Sequence, residues 1–324
     1  MKILVIGSAG FIGQFLIRKL LDEKHNVMGL DVNKHPADLL NRCKCVIGDL
    51  LSKDDLMKAA KDVDIIISLA AKHHDFGVSR EEFFKVNEEG TQLLLDVAKE
   101  LGIKKLIFYS TVAVYGTREE ASTENMEPEP DSNYGKSKLA GENRINAWCK
   151  ENGSRCVVII RPTVIFGPNN YANVYNLIDK IYRKKFIFVG KGDNIKSVAY
   201  VENLVDATIF LIDTLKPGVQ IFNYSDEPQM TISQVVDIIS DYMPHKVPKT
   251  KLPLWIAVSF GSIFDLLGKM TGKNYPITAA RMKKFATSTH HKAQKIRDIG
   301  FNQKTETKEG FKRMIEWYIT SQGK

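Results

Sequence analysis

Met1–Gly13 (M-K-I-L-V-I-G-S-A-G-F-I-G) decides the fold. Met1–Ile6 is a short apolar run, Gly7-Ser8-Ala9-Gly10-Phe11-Ile12-Gly13 follows at once, and Phe15, Leu16, Leu20 and Leu21 then recur at helical spacing. The order is strand, glycine turn, helix. Gly7, Gly10 and Gly13 bring no side chains to a place where a diphosphate must approach the backbone. The helix start behind Phe11 and Ile12 offers unpaired N–H groups at the positive end of a dipole. The turn is read as a dinucleotide-binding site, with Gly7, Gly10, Phe11, Ile12 and Gly13 as its candidate contacts.

Outward from this turn, strand and helix signals alternate. Asn26–Leu30 reads as a second strand ending at Asp31. That residue lies roughly 20 positions past the turn, where a carboxylate accepts both ribose hydroxyls and repels a 2′-phosphate, so NAD is expected rather than NADP. Lys44–Ile47 is a third strand, followed by Gly48-Asp49-Leu50 and a helix over Leu51–Ala60 with Ser52 as N-cap. Asp64–Leu69 is a continuous apolar run, as in a parallel strand buried on both faces. Ala70-Ala71-Lys72 closes it with small residues where a cofactor packs on backbone. His73 and His74 are adjacent and point apart on any regular element, so no shared metal is expected; lining the cleft is the other reading. Phe83–Leu101 has the pattern of one long amphipathic helix, and Lys105–Tyr109 of a strand ending in Ser110-Thr111. After a polar loop rich in Glu and Pro, Tyr134-Gly135-Lys136-Ser137-Lys138 opens a helix to about Glu151 and places Tyr134 and Lys138 on one face. Val157–Ile160 is a sixth strand, ending at Arg161-Pro162-Thr163.

Beyond that point the rhythm weakens. Helices are expected over Tyr175–Arg183, Val201–Asp213, Ile232–Met243 and Lys308–Tyr318, and strands over Phe186–Val189, Ser197–Tyr200 and Ile221–Tyr224. The fold class that follows is α/β: a Rossmann doubly wound parallel sheet over residues 1–162, with a smaller mixed substrate lobe over 163–324 from which later segments return to the sheet.

Composition narrows the function. With 44% hydrophobic and 26% charged residues the chain has the make-up of a soluble globular protein. The net charge is +8, yet no basic run carries interleaved aromatics for stacking, so nucleic acid is not an expected partner. Four dispersed cysteines (Cys43, Cys45, Cys149, Cys156) make neither a disulfide framework nor a zinc site and are read as reduced. Gly7 interrupts the apolar N-terminus, which is read as part of the fold rather than a signal peptide, and the cytoplasm follows as the default. Leu252–Leu267 is apolar and flanked by Lys251 and Lys269. It falls short of the roughly 20 residues that span a bilayer, and Asp265 sits inside it. It is read as a buried or half-buried helix, with an interfacial membrane contact or an apolar substrate cover as alternatives.

The chemistry sits on Tyr134, Lys138 and the hydroxyls at the strand end. A phenol with a reference pKa of about 10 is a poor base at neutral pH. An ammonium one helical turn away, and a positively charged nicotinamide ring, favour the phenolate. Tyr134 then takes a proton from an alcohol or returns one to a ketone. Thr111 or Ser110 holds the same oxygen, and Lys138 reaches the cofactor ribose.

The turn G-x-x-G-x-x-G, Asp31, Gly48-Asp49-Leu50, Leu69-Ala70-Ala71, Asn87 in V-N-E-E-G-T, S-T-V-A-V-Y-G, Y-G-K-S-K and R-P-T-V-I-F-G-P resemble the extended short-chain dehydrogenase/reductases, more narrowly their NAD-dependent epimerase/dehydratase branch. The resemblance spans nearly the whole chain and is dense to Pro168. It implies a seven-stranded Rossmann sheet, bound NAD(H) and a C-terminal substrate lobe. It makes Thr111, Tyr134 and Lys138 the catalytic set and places Asp49 and Leu50 beside the adenine. Leu69, Ala70, Ala71, Asn87 and Pro162 fall on the cofactor side, with Ser110 and Lys72 toward the substrate. A homodimer through the helices starting near Phe83 and Tyr134 is implied as well.

Departures from the pattern narrow the subclass. Nucleotide-sugar 4,6-dehydratases carry an Asp-Glu pair where Val112-Ala113 stand here, and UDP-glucuronate decarboxylases carry a Glu just before V-Y-G, where this chain has Ala113. What remains is reversible oxidation of one alcohol, by a 4-epimerase or a 4-keto-sugar reductase. Thr163 stands near the point where the common sugar epimerases have an Asn after the R-P strand end. Gly167–Lys196 is similar to enzymes acting on nucleotide-linked sugars in surface-polysaccharide pathways, which implies contacts from Asn173 and Val174 to the nucleotide; Arg281 could pair with a diphosphate. Two other readings stay open: a 3β-hydroxysteroid dehydrogenase-like oxidation of an apolar alcohol, and a non-catalytic NAD(P)-sensing protein.

Overall fold

In the computed structural model the described residues are 1–73, 77–245, 247, 251–271, 278–279, 282 and 287–322. Seven parallel strands form the central sheet: β1 (Lys2–Ile6), β2 (Asn26–Asp31), β3 (Lys44–Ile47), β4 (Ile65–Ser68), β5 (Lys105–Tyr109), β6 (Cys156–Pro162) and, from the second half of the chain, Gly218–Tyr224. Their order is β3-β2-β1-β4-β5-β6 with Gly218–Tyr224 at the far edge, next to β6. The order reverses between β1 and β4, and a doubly wound sheet binds its ligands at the carboxyl ends of the strands on either side of such a point.

Strand side chains alternate between two cores. Ile3, Val5, Ile65, Ile67, Ile107, Val158 and Ile160 face one way, onto α1 (Phe11–Asp22) and the helix Val201–Asp213. Leu4, Ile6, Ile66, Leu106, Phe108, Val157 and Ile159 face the other. This second face is covered by the helices Lys53–Ala59, Gly90–Glu100 and Asn133–Glu151. Burial on both sides explains why these strands read as unbroken apolar runs. The short helix Ala37–Leu40 and the Ser52-capped helix Lys53–Ala59 complete the β2–β4 side.

A third core belongs to the C-terminal lobe. It gathers Phe166, Ile178, Ile181, Val198, Tyr200, Val235, Ile239, Phe311, Met314 and Tyr318. The helices Asn173–Tyr182, Ile232–Asp241 and Thr307–Gln322 contribute to it, as do two parallel ribbons, Val164–Phe166 with Val198–Tyr200 and Phe188–Val189 with Lys251–Leu252. Helices Leu254–Thr271 and Gln294–Asp298 finish the chain's described elements.

One predicted element is corrected. The single helix expected over Phe83–Leu101 is three pieces: Arg80–Phe84 with a Ser79/Glu82 capping box, a π-helical turn Lys85–Glu89, and Gly90–Glu100. A π-turn holds one residue more than an α-turn and recurs at functional sites, and helical periodicity alone cannot reveal it.

Candidate active site

At the glycine turn the backbone is packed too tightly for side chains. Gly7 has φ +82°, and a Cβ on it would lie 2.7 Å from the Ala70 nitrogen; a Cβ on Gly13 would lie 2.3 Å from the Gly7 carbonyl oxygen. The loop, the start of α1 and the end of β4 therefore close on one another. Gly10 is the N-cap of α1 and brings no side-chain cap, so the first-turn amides of Phe11, Ile12 and Gly13 are not taken by a capping side chain. Asp31 is buried at the end of β2. Its carboxylate accepts from Ala9 N at 2.9 Å and from Asn33 N and Nδ2 at 2.9 and 3.1 Å, which fixes its orientation beside the turn. Sequence reasoning missed its neighbour His35, whose Nε2 lies 2.6 Å from Ser8 Oγ; burial pushes this imidazole down and the Asp31 carboxylate opposes the shift.

Asn87 lies in the π-turn, 1% exposed, and is fully engaged by protein. Its Oδ1 accepts from Lys72 N at 2.9 Å, and its Nδ2 donates to Lys72 O at 3.0 Å and to Ser137 Oγ at 2.9 Å. Ser137 Oγ donates in turn to Tyr134 O. One amide thus ties the segment after β4 to the first turns of the helix Asn133–Glu151. Lys72 is held by its backbone, and Leu69, Ala70 and Ala71 are half-buried beside the glycine turn.

Thr111 follows β5 and caps the 3-10 turn Val112–Tyr115, its Oγ1 accepting from Ala113 N at 3.1 Å. The helix carrying Tyr134 rests on that turn: a Cβ on Gly135 would be 2.4 Å from Ala113 O. This close approach sets the start of the Tyr134 helix on the turn that Thr111 caps. The Tyr134 ring packs on Phe83 at 6.2 Å between centroids. Ser110 Oγ is buried and has no hydrogen-bond partner among the described residues. Pro162 ends β6, buried and in register with Tyr224.

Lys138 is 1% exposed, with its Nζ 4.0 Å from the centre of the Phe108 ring. Burial pushes its pKa down to about 7, and the Glu142 carboxylate, one turn on, opposes the shift. Glu142 is itself clamped by Arg161, with Nε–Oε1 at 3.0 Å and Nη2–Oε2 at 2.5 Å, both side chains buried. Arg161 Nη1 donates to Tyr115 OH at 2.8 Å, and that hydroxyl donates to Asn223 Oδ1 at 2.8 Å. Sequence reasoning missed this line of buried groups under the site. The available signal was the stripe Gly135, Lys138, Gly141, Glu142, Ile145, Trp148, which sets two opposite charges on an otherwise core-facing helix side.

The Lys138 environment has a thermodynamic signature. In the unfolded chain its amine stays protonated up to about pH 10.4, but in the folded, cofactor-free protein only to about 7. Between those values the unfolded state binds more protons, so this group makes stability rise with pH across that window. Urea melts from pH 7 to 9.5 should show a shallower rise for Lys138→Met than for the wild type. Equal slopes in the two proteins would mean that the folded amine is solvated.

The substrate-side residues fare unevenly. Asn173 is exposed at the first position of its helix. The Val174 side chain is buried in the C-terminal-lobe core, so its backbone is the part open to a ligand. Leu50 is likewise buried in the sheet core, while Asp49 beside it is exposed. Asp49 Oδ1 accepts from Leu51 N, and its own amide donates to Asp55. Arg281 and His74 lie outside the described residues, and His73 is exposed. The four cysteines are free; burial and the Cys43 thiol 3.5 Å away push Cys45 up to about 12, so it is not a thiolate at neutral pH.

A bare glycine cradle at a sheet switch point, with Tyr134 and Lys138 on a helix that rests on the turn Thr111 caps, fits the extended short-chain dehydrogenase/reductase class of enzyme. The model of the NAD dependent epimerase/dehydratase family matches residues 3–224, and the chain belongs to that family. It is 34% identical over 318 residues, 98% of this chain and 95% of the relative, to an N-acetyl-alpha-D-glucosaminyl-diphospho-ditrans,octacis-undecaprenol 4-epimerase of Escherichia coli O157:H7. It is 28% identical to a UDP-glucose 4-epimerase of Vibrio cholerae, over 84% of this chain and 85% of the relative. Its fold is shared with UDP-glucuronic acid 4-epimerase from Bacillus cereus in complex with NAD, at a TM-score of 0.79 and 23% identity over 99% of each chain. NAD is the cofactor of the family, and the residues fit it. The cradle has no room for Cβ atoms, the helix start behind it has no side-chain cap, and a fixed carboxylate ends β2.

Proposed function

We propose that this chain is a 4-epimerase of a sugar carried on a diphosphate, and that the carrier is a polyprenol-type lipid. The observation that carries the lipid is the strength of the match to the lipid-linked epimerase, 34% identical over 98% of this chain, against 28% over 84% for the UDP-glucose 4-epimerase. A nucleotide carrier is the second reading, favoured by the UDP-sugar epimerases among the relatives and fold neighbours. A cytoplasmic homodimer built on the helices from Arg80 and Asn133 completes the proposal; sedimentation of the purified protein checks the dimer.

In this reading Gly7, Gly10 and Gly13 with the amides at the start of α1 hold the cofactor diphosphate, and Asp31 holds the adenosine ribose. Bound NAD supplies the hydride acceptor and, after the sugar has turned, the donor. The chain's own part is the proton. Tyr134 removes it from the C4 hydroxyl and returns it once the opposite face of C4 is presented. Thr111 Oγ1 accepts from Ala113 N, which leaves its O–H to donate to the sugar oxygen. Ser110 Oγ, buried with no partner among the described residues, gains one from the same substrate. Lys138 stabilises the phenolate whenever it is protonated, and Glu142 helps keep it so. Val112 and Ala113 supply no acid for elimination, which favours simple inversion.

The test is incubation of the protein and NAD with N-acetylglucosaminyl-diphospho-undecaprenol, UDP-N-acetylglucosamine and UDP-glucose in separate reactions, with C4 configuration read by NMR. Inversion of the lipid-linked sugar is expected. Inversion of UDP-sugars alone would remove the lipid and leave the epimerase standing. A 4-keto product with stoichiometric NADH and no inverted sugar would replace the epimerase by a reductase.

A further inference from the structure

The helix Leu254–Thr271 shows two unlike faces. Its inner face is small: Ala257 is buried, and a Cβ on Gly261 would lie 2.5 Å from Ala279 N, so the helix rests on the 278–279 backbone. Asp265 is the one charged residue between Leu252 and Leu267, and it turns inward, its Oδ2 accepting from Ala279 N at 3.0 Å. The outer face carries Trp255 (72% exposed), Phe260 (56%), Ile263 (54%) and Leu267 (39%). Its hydroxyls are already satisfied: Ser259 Oγ donates to Trp255 O at 2.9 Å and Ser262 Oγ to Val258 O at 3.0 Å. Four large apolar side chains on one helix, with neither a charge nor an unbonded hydroxyl among them, form a surface that water solvates poorly.

We propose that this face docks on an anionic lipid bilayer, the helix lying in the plane of the interface with these side chains at the acyl boundary. Charge selects this occupant. From His245 to Lys284 the sequence carries eight Lys/Arg and one Asp, so this stretch supplies +7 of the chain's formal +8. Basic residues that flank an apolar helix in the sequence favour anionic headgroups over neutral ones. A second copy of the chain would bring two such +7 stretches together, which repel. No described helix is long and apolar enough to cross a membrane, which fits a helix that lies on it. The purpose of the surface rests on the lipid-linked reading above, since a polyprenol-borne sugar is presented at the bilayer. The surface itself is tested without any sugar, so either can fail alone.

The experiment mixes the NAD-loaded protein with sucrose-loaded vesicles of phosphatidylethanolamine and phosphatidylglycerol, or of phosphatidylcholine alone, and reads co-sedimentation and tryptophan emission. Binding to the anionic vesicles is expected, weakened by salt, with a blue shift that is absent in Trp255→Phe. Phe260→Ser combined with Ile263→Ser should weaken vesicle binding at least tenfold while NAD affinity, the control for folding, is unchanged. Three results overturn the proposal: failure of the wild type to bind anionic vesicles, equal binding by the double variant, or self-association that the double variant abolishes in a protein indifferent to vesicles.

Discussion

Tyr134→Phe is expected to lower the rate of C4 inversion by about 10²–10⁴-fold, the usual worth of a positioned acid–base group, with stability and NAD affinity unchanged. The phenylalanine ring keeps the packing on Phe83 and removes only the hydroxyl. The helix start is held independently, by Ser132 capping Gly135 N and by Ser137 Oγ donating to Tyr134 O, so the backbone at this position survives the change. Initial rates with the responsive sugar and NAD titration of the same sample decide it. A variant with near wild-type turnover would place the proton acceptor elsewhere. Loss of NAD binding would mean that the tyrosine holds the cofactor rather than the proton.

Arg161→Met should destabilise the protein by about 3–5 kcal/mol, because it leaves a buried carboxylate without its cation. Glu142 is 1% exposed, both its oxygens are bonded to Arg161, and the guanidinium also serves Tyr115. Replacing both members, Arg161→Met with Glu142→Leu, should recover most of that stability, since a well-packed apolar pair often matches a buried ion pair. Activity should not recover with it. The double variant lacks the carboxylate that opposes the downward shift of Lys138, so less of the lysine is protonated at neutral pH. Denaturant midpoints of the two single variants and the double give the coupling. Additive losses would mean that the two side chains are solvated separately. Full activity in a stable double variant would disconnect the pair from Lys138.

The sheet was legible because its signals are local. Strands such as Ile65–Ser68, buried on both faces, have little choice but to be apolar throughout, and Gly7, Gly10 and Gly13 stand where the backbone leaves no space. Thr111, Tyr134 and Lys138 were legible as types and order. What the sequence did not reveal depends on contacts across long separations. Asn87 to Ser137 spans 50 residues, Arg161 to Tyr115 spans 46, and Tyr115 to Asn223 spans 108. No periodicity records such pairings. The C-terminal lobe was harder for a related reason. Two of its strands are only two residues long, Phe188–Val189 and Lys251–Leu252, too short to carry an alternating pattern. Val174 shows what position alone leaves unsaid, because packing in this lobe uses its side chain and only its backbone is left to face a ligand.

The π-turn at Lys85–Glu89 separates the length of this chain from its geometry. A π-turn takes up one residue more than an α-turn, so deleting one residue there gives a continuous α-helix whose two halves keep their phase. Phe83 on the near side then still packs against Tyr134, and Leu94 and Leu95 on the far side still face the sheet core. What the deletion removes is the widened turn in which Asn87 meets the Lys72 backbone and Ser137. The extra residue therefore serves one amide rather than the helix: a shortened chain is expected to fold and to lose the tie between the segment after β4 and the helix that carries Tyr134.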